Sequence, residues 1–313
     1  YTLEGPDHAG TVLVSDLGLD VQSIAASQGW LLQDEMFIPP LPPRRHNSHK
    51  GLYGNVTIVG GSEGMTGAAL LAARAALLCG GGRIYVGLLS ENAPLVDPLQ
   101  PELMLRHAAD LHDKVEASCA VIGPGLGRSP QAVKVLKAWL AKPLPLVLDA
   151  DALQLVAQNA ELKALLQRRT SPTVMTPHPG EASALAGCSG AEIQHDRITS
   201  ALKLARDFNA ITILKGAGSV IAEPAGNWYI NTSGNPGLSS AGTGDVLAGM
   251  LGAFIAQGLE AGDAARLAVW LHGAAADELV SHGVGPVGLT ASEVAAKVRT
   301  LINRTVAVKS SQH

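Results

Sequence analysis

The chain has 313 residues, 47% of them hydrophobic, with a formal charge of −4 and a pI near 6.2. That length can bury a large core, which excludes disorder as the main state, and the lack of a basic excess excludes nucleic acid as a partner. Cys79, Cys119 and Cys188 form no CxxC pair, no apolar run is long enough to cross a membrane and no secretory leader opens the chain, so a reduced, cytoplasmic setting is expected.

Residues 1–44 stand apart from the rest. Thr11–Val14 reads as a short strand and Val21–Gln28 as a short helix-like stretch. The proline run Ile38–Arg45 favours extended backbone, as in an arm or linker. The chain starts at Tyr1 without Met, as a processed or trimmed piece would. From residue 45 to 313 the pattern is that of one regular domain. Strand-like runs at Asn55–Gly60, Arg83–Leu88, Glu102–His107, Cys119–Gly123, Leu144–Asp149, Thr173–Thr176 and Ile211–Lys215 are nearly continuous in apolar residues, as in strands covered on both faces. Between and after them, helical periodicity predicts Gly67–Cys79, Pro130–Leu140, Ala152–Leu166 and Glu192–Asn209. Ser219–Ala222 and Trp228–Asn231 read as a hairpin, followed by helices at Asp245–Gln257, Ala261–Ser281 and Thr290–Asn303. This alternation predicts an α/β fold with a mostly parallel central sheet and helices on both faces.

In such a sheet, ligands bind beyond the carboxyl ends of the strands, where glycine turns feed helix N-termini. His49–Gly54 and Gly60–Ala68 supply one glycine loop. Gly123-Pro-Gly-Leu-Gly127 lacks GxGxxG spacing and reads as a substrate-side loop rather than a dinucleotide site. Asp149 and Asp151 close an apolar strand; one can cap the next helix while the other faces the cleft. Thr176-Pro-His178-Pro-Gly-Glu181 holds a histidine between prolines, a frame that suits positioning as well as structure. Lys215-Gly-Ala-Gly-Ser219 follows a strand and lets Lys215 reach phosphate oxygens, although a hairpin entry with a surface lysine has the same pattern.

The most telling segment is Asn231–Gly249, a long run of small residues that enters a helix with Asp245 in its first turn. Backbone N–H groups there, with the helix dipole behind them, suit an anion such as a transferring phosphoryl group. An aspartate at that place can simply cap the helix. An ordinary cap needs no such backbone freedom, which favours Asp245 as a catalytic base for phosphoryl transfer to a hydroxyl. His46 and His49 have no partners at metal spacing, so no protein metal site is expected, and His272 reads as a packed core residue. Ser62 and Ser239 lie in no GxSxG elbow, which weakens a hydrolase reading.

Taken in order, HKGLYG, GGSEGMTGA, GPGLG, DADAL, TPHPGE, LKGAGS and NPGLSSAGTGDVLAG resemble the ADP- or ATP-dependent NAD(P)H-hydrate dehydratases of the ribokinase-like superfamily, over residues 45–303. The resemblance implies a ribokinase-like three-layer sandwich. It also implies a lyase that phosphorylates the C6 hydroxyl of (S)-NAD(P)H hydrate and eliminates phosphate, leaving AMP from ADP or ADP from ATP. It places the hydrate near Ala68, Gly127, His178 and Asp245, and the nucleotide near Lys215, Gly216, Ala217, Gly218, Ser219 and Gly244. Amides of Ala241, Gly242, Thr243 and Gly244 would form the anion hole, with Mg²⁺ beside the ADP or ATP co-substrate, and a homotetramer is the implied assembly. Gly5–Gly10 and Asp16–Leu19 resemble the end of the hydrate epimerase domain of fused bacterial proteins, so a dehydratase half of a bifunctional protein is expected. The competing readings are a superfamily kinase that releases a stable phosphomonoester and a non-catalytic nucleotide-sensing module.

Overall fold

The computed structural model describes residues 1–15, 17–20, 27–33 and 41–310, the side chains of residues 305–310 excepted. Ten strands form one sheet: β1 Gly29–Leu32, β2 Asn55–Gly60, β3 Arg83–Leu88, β4 Met104–His107, β5 Cys119–Ile122, β6 Leu146–Leu148, β7 Thr173–Met175, β8 Ile211–Leu214, β9 Val220–Ala222 and β10 Trp228–Asn231. Their spatial order is β1-β10-β9-β8-β7-β6-β5-β2-β3-β4. All pairings are parallel except the two that β9 makes, with β8 and with β10. The central strands β5, β6 and β7 are buried at every position, because helices cover both faces of a parallel sheet.

The period of two along these strands divides the core. Val56, Ile58 and Val121 face α2 (Thr66–Leu78), α10 (Thr243–Ala256), α11 (Ala261–Ser281) and α12 (Ala291–Ser310), whereas Val59, Ala120 and Ile122 pack with Trp139 of α4 (Pro130–Leu140) and Phe208 of α9 (Arg197–Phe208). Helices α2 and α10 pack tightly: a Cβ on Gly249 would lie 2.0 Å from the Ala72 carbonyl oxygen. Small residues there let the N-terminus of α10 reach the strand ends.

The expected helix at Ala152–Leu166 is two helices, α5 (Asp151–Gln158) and α6 (Ala160–Gln167), because Asn159 caps the second by accepting the N–H groups of Glu161 and Leu162 at 3.0 and 3.1 Å. The stretch Glu192–Asn209 breaks similarly at Asp196, between α8 (Gly190–His195) and α9, where the carboxylate accepts the Thr199 N–H. Helices α3 (Ala108–Lys114) and α7 (Pro179–Ala186) were not expected. In the N-terminal segment, Thr11–Val14 forms no strand. A short helix, α1 (Gly5–Ala9), precedes it, and Gly29–Leu32 joins the sheet beside β10. Most of the expected helix-like stretch, residues 21–26, and the start of the proline run, residues 38–40, lie outside the described residues. Among the described residues no helix is long and apolar enough to cross a membrane.

Candidate active site

The carboxyl ends of β6, β7 and β8 bring together a compact charged group. Asp149, directly after β6, is 1% exposed and accepts hydrogen bonds from the Lys215 ammonium and the Thr176 hydroxyl, each at 2.7 Å. Lys215 follows β8, and its N–H donates to the Pro177 carbonyl at 2.9 Å, which fixes where the side chain starts. Its ammonium also lies 4.0 Å from Glu181. Burial works against the lysine charge, but Asp149 and Glu181 outweigh it and hold Lys215 above the ordinary lysine range.

Glu181 and His178 form a capping box at the start of α7: the His178 Nδ1 accepts the Gly180 and Glu181 N–H groups, and Glu181 Oε2 accepts the His178 N–H at 2.8 Å. Nδ1 is thus committed as an acceptor, which leaves the ring proton on Nε2, 3.3 Å from Glu181 Oε1. Burial pushes the Glu181 carboxyl up to about 7, with Lys215 pulling the other way. Burial and then Lys215 hold His178 below the ordinary histidine value, which favours its neutral form.

Helix α10 points its N-terminus at this group. The loop before it is tied to α11 through Asp277, which accepts the Gly234 N–H and an Asn235 amide proton at 2.7 and 2.8 Å. Thr243 anchors the turn by donating its hydroxyl to the Leu238 and Ser240 carbonyls. Gly242, the N-cap, has φ 87°, and no side chain caps the helix. The first-turn N–H groups, including those of Thr243 and Gly244, are therefore left for an anion. A Cβ on Gly244 would sit 3.4 Å from Lys215 Nζ, so the helix end and the lysine adjoin. Burial and then Asp149 push the Asp245 carboxyl up to about 7, with Lys215 opposing.

On the other side, the β2 and β5 loops interlock. Gly61 and Ser62 donate N–H groups to the Pro124 and Gly125 carbonyls at 3.0 and 2.6 Å. A Cβ on Gly125, φ 59°, would lie 3.2 Å from that of Ala68. Gly127 donates its N–H to Asp151 at 2.9 Å. Ala150, between the two aspartates, takes φ 49°, a left-handed backbone that a non-glycine residue adopts at a cost.

The structure thus gathers Asp245, Gly244, Lys215, His178 and Gly127 around the Asp149 pair, with Ala68 beside the Gly127 loop. Ala241 and Gly242 lead into the helix end. Gly216, Ala217, Gly218 and Ser219 extend from Lys215 toward the chain's first residues, where the Leu3 N–H donates to the Ala217 carbonyl at 3.1 Å. Neither Asp149 nor Asp151 caps α5, whose N-cap Ala150 has no side-chain bond; Asp149 pairs with Lys215, and Asp151 holds the Gly127 loop. Sequence reasoning assigned no role to Thr176, Glu181 or Arg197. For Thr176 the signal available was that a polar side chain directly following a fully apolar strand must find a partner at the strand end. His272 is buried, and burial depresses it to about 4, in keeping with a packed residue. Among the described residues no three acidic, histidine or cysteine side chains converge as a metal cage.

The family model described as NAD(P)H-hydrate dehydratase matches residues 56–299. The chain is 40% identical over 282 residues to the ADP-dependent (S)-NAD(P)H-hydrate dehydratase of Neisseria meningitidis, covering 89% of this chain and 95% of that protein. It is 37% identical over 309 residues to the bifunctional NAD(P)H-hydrate repair enzyme Nnr of Coxiella burnetii, covering 97% of this chain but only 62% of that protein's length. The crystal structure of the ADP/ATP-dependent NAD(P)H-hydrate dehydratase of Bacillus subtilis, co-crystallized with ATP/Mg²⁺, superposes with a TM-score of 0.78 at 32% identity, over 88% of this chain and 98% of that one.

Proposed function

Because the chain belongs to the NAD(P)H-hydrate dehydratase family, we propose that it restores NAD(P)H from its (S)-hydrate at the expense of ADP or ATP, with Asp245 as the catalytic base. The observation that carries this reading is the placement of Asp245 at the uncapped N-terminus of α10, beside the Lys215, Asp149 and Glu181 group. Two named relatives of known nucleotide dependence support the choice of co-substrate.

Hydroxide is a poor leaving group, and one phosphorylation makes it a good one. Asp245 accepts the C6 hydroxyl proton as that oxygen attacks the terminal phosphorus of the nucleotide, and the bond to the departing AMP or ADP breaks. Amides of Ala241, Gly242, Thr243 and Gly244, with the dipole of α10, offset charge on the transferring group. Lys215 and the Gly216–Ser219 backbone hold the nucleotide's phosphates, while Ala68, Gly127 and His178 line the hydrate's side. The ring nitrogen lone pair then expels phosphate as C5 loses a proton, so hydrate and ADP become NAD(P)H, AMP and phosphate.

Two carboxylates, Asp149 and Glu181, share the single ammonium of Lys215, which suits a hard divalent cation whose remaining oxygen ligands the nucleotide supplies. Asp149 and Glu181 would hold Mg²⁺ together with nucleotide oxygens, and the ion would supply charge neutralisation at the phosphates. We also read residues 1–44 as an arm and linker and 45–313 as the dehydratase domain, belonging to a bifunctional repair protein, working as a homotetramer in the cytoplasm. Three free thiols support that compartment.

The test is to incubate the purified chain with NADH hydrate, Mg²⁺ and ADP or ATP while following the return of NADH absorbance, beside Asp245→Asn. Nucleotide-dependent recovery is expected, with the variant slower by roughly a hundredfold or more yet still binding nucleotide. Accumulation of a phosphorylated hydrate would indicate a kinase, and tight ADP binding without turnover a sensing module.

A further inference from the structure

Among the described residues two arginines are buried, and they sit at opposite ends of the strands. Arg169 is 8% exposed and spends its guanidinium on the Leu140, Lys142 and Leu144 carbonyls and on the Thr173 hydroxyl, at the start of β7. It ties loops together on the side away from the site. Arg197, at the first position of α9, is 3% exposed and lies beneath the loop that follows β8. Its Nη2 donates to the Leu214 and Lys215 carbonyls at 3.0 and 3.3 Å, and its Nη1 to the Gln194 side chain at 2.6 Å. Its Nε has no partner, and among the described residues no carboxylate lies within ion-pair distance of it. Gly216, φ 143°, passes directly over it: a Cβ there would be 3.0 Å from Nη2 and 3.1 Å from Nη1.

The consequence follows from peptide geometry. A trans peptide carries its C=O and N–H on opposite sides. With the Lys215 carbonyl turned down onto Arg197, the Gly216 N–H is turned away from the core, at the mouth of the glycine loop. The preceding peptide is fixed at both ends, since the Leu214 carbonyl is on Arg197 and the Lys215 N–H on Pro177. A buried cation without a carboxylate also leaves an uncompensated positive charge just under this backbone.

We propose that Arg197 is a positioning residue for the nucleotide: it aims the Gly216 N–H and the Lys215 side chain at a phosphate of ADP or ATP, whose negative charge completes an otherwise unpaired buried guanidinium. This inference rests on the nucleotide reading of the Lys215–Ser219 loop given above.

The experiment titrates ADP with Mg²⁺ into the wild-type chain, Arg197→Met, Arg197→Lys and Gln194→Ala by calorimetry, and measures KM for ADP, KM for hydrate and kcat in parallel. Arg197→Met is expected to weaken ADP by about tenfold or more, the loss of one charge-assisted contact, while hydrate KM and kcat at saturating ADP stay within about twofold. Arg197→Lys keeps the charge but not the fork that grips two carbonyls, and should fall between. Gln194→Ala removes only one contact of the guanidinium and should show a smaller loss of the same kind, which keeps the proposal testable where Arg197→Met does not fold. Folded variants that bind ADP as the wild type does would overturn the proposal, as would ADP and hydrate KM values that rise together. A wild-type chain that binds ADP without restoring NADH removes the dehydratase reading and leaves this one standing on calorimetry. A wild-type chain that binds no nucleotide overturns both.

Discussion

Asp245 gives the site opposite dependences on pH for chemistry and for stability. Its carboxyl is raised from 3.8 to about 7, first by burial and then by Asp149, so the base form grows in only as pH climbs through 7. The kcat/KM profile should therefore rise to about that pH and level off, and that rise should be absent from residual Asp245→Asn activity. Folding responds in the other sense. A carboxyl that holds its proton more tightly when folded contributes stability in full below 3.8, and that contribution is lost as pH rises toward 7. Asparagine has no charge to bury. Asp245→Asn should thus melt several degrees above the wild type at pH 8, with the gain fading toward pH 4, a difference that calorimetric scans at both pH values would register; an equal Tm at pH 8 would count against a buried carboxylate here.

Helix α10 reaches the strand ends only because the residues at its second turn, where it meets α2, are small. The Cβ that Gly249→Ala adds would fall 2.0 Å from the backbone oxygen of Ala72 in α2, and a helix backbone yields little to such an intrusion. The substitution should cost about 1–3 kcal/mol and lower kcat by moving the first-turn amides off the phosphoryl group, read by denaturant unfolding and by turnover. The elements themselves were largely legible from sequence where one requirement dominated. Continuous apolar runs such as Cys119–Ile122 could only be strands between two helical layers. The breaks at Asn159 and Asp196 were harder to see, because each residue is also tolerated inside a helix and its capping bond is decided by the turn around it. That Asp245 and the glycine loops would gather at the strand ends was legible, because backbone freedom of that extent has few other uses. The role of Asp149 was not, since whether it caps α5 or pairs with Lys215 depends on the ends of β6 and β8, on either side of β7, bringing together two residues 66 apart in sequence.

At the scale of the whole molecule, the sheet runs parallel from β1 to β4 except at β9, and β1 comes from the N-terminal arm that sequence analysis set apart from the domain. It pairs with β10 over four residues, and the Thr232 hydroxyl adds a bond to the Leu32 carbonyl at 2.9 Å. Without it, the ladder groups of Trp228–Asn231 would form an open edge carrying tryptophan and tyrosine. A chain lacking residues 1–44 should accordingly associate with rising concentration in light scattering, while a chain keeping residues 27–44 should behave as the full length does. The partners Leu32 and Thr232 are 200 residues apart. During synthesis the arm leaves the ribosome well before β10 and has nothing to pair with until that strand follows, a wait of roughly 10–40 s at ordinary elongation rates. For that interval its apolar Trp30, Leu31 and Leu32 are in the hands of whatever chaperones attend the nascent chain, and the sheet's edge cannot close until β10 has emerged.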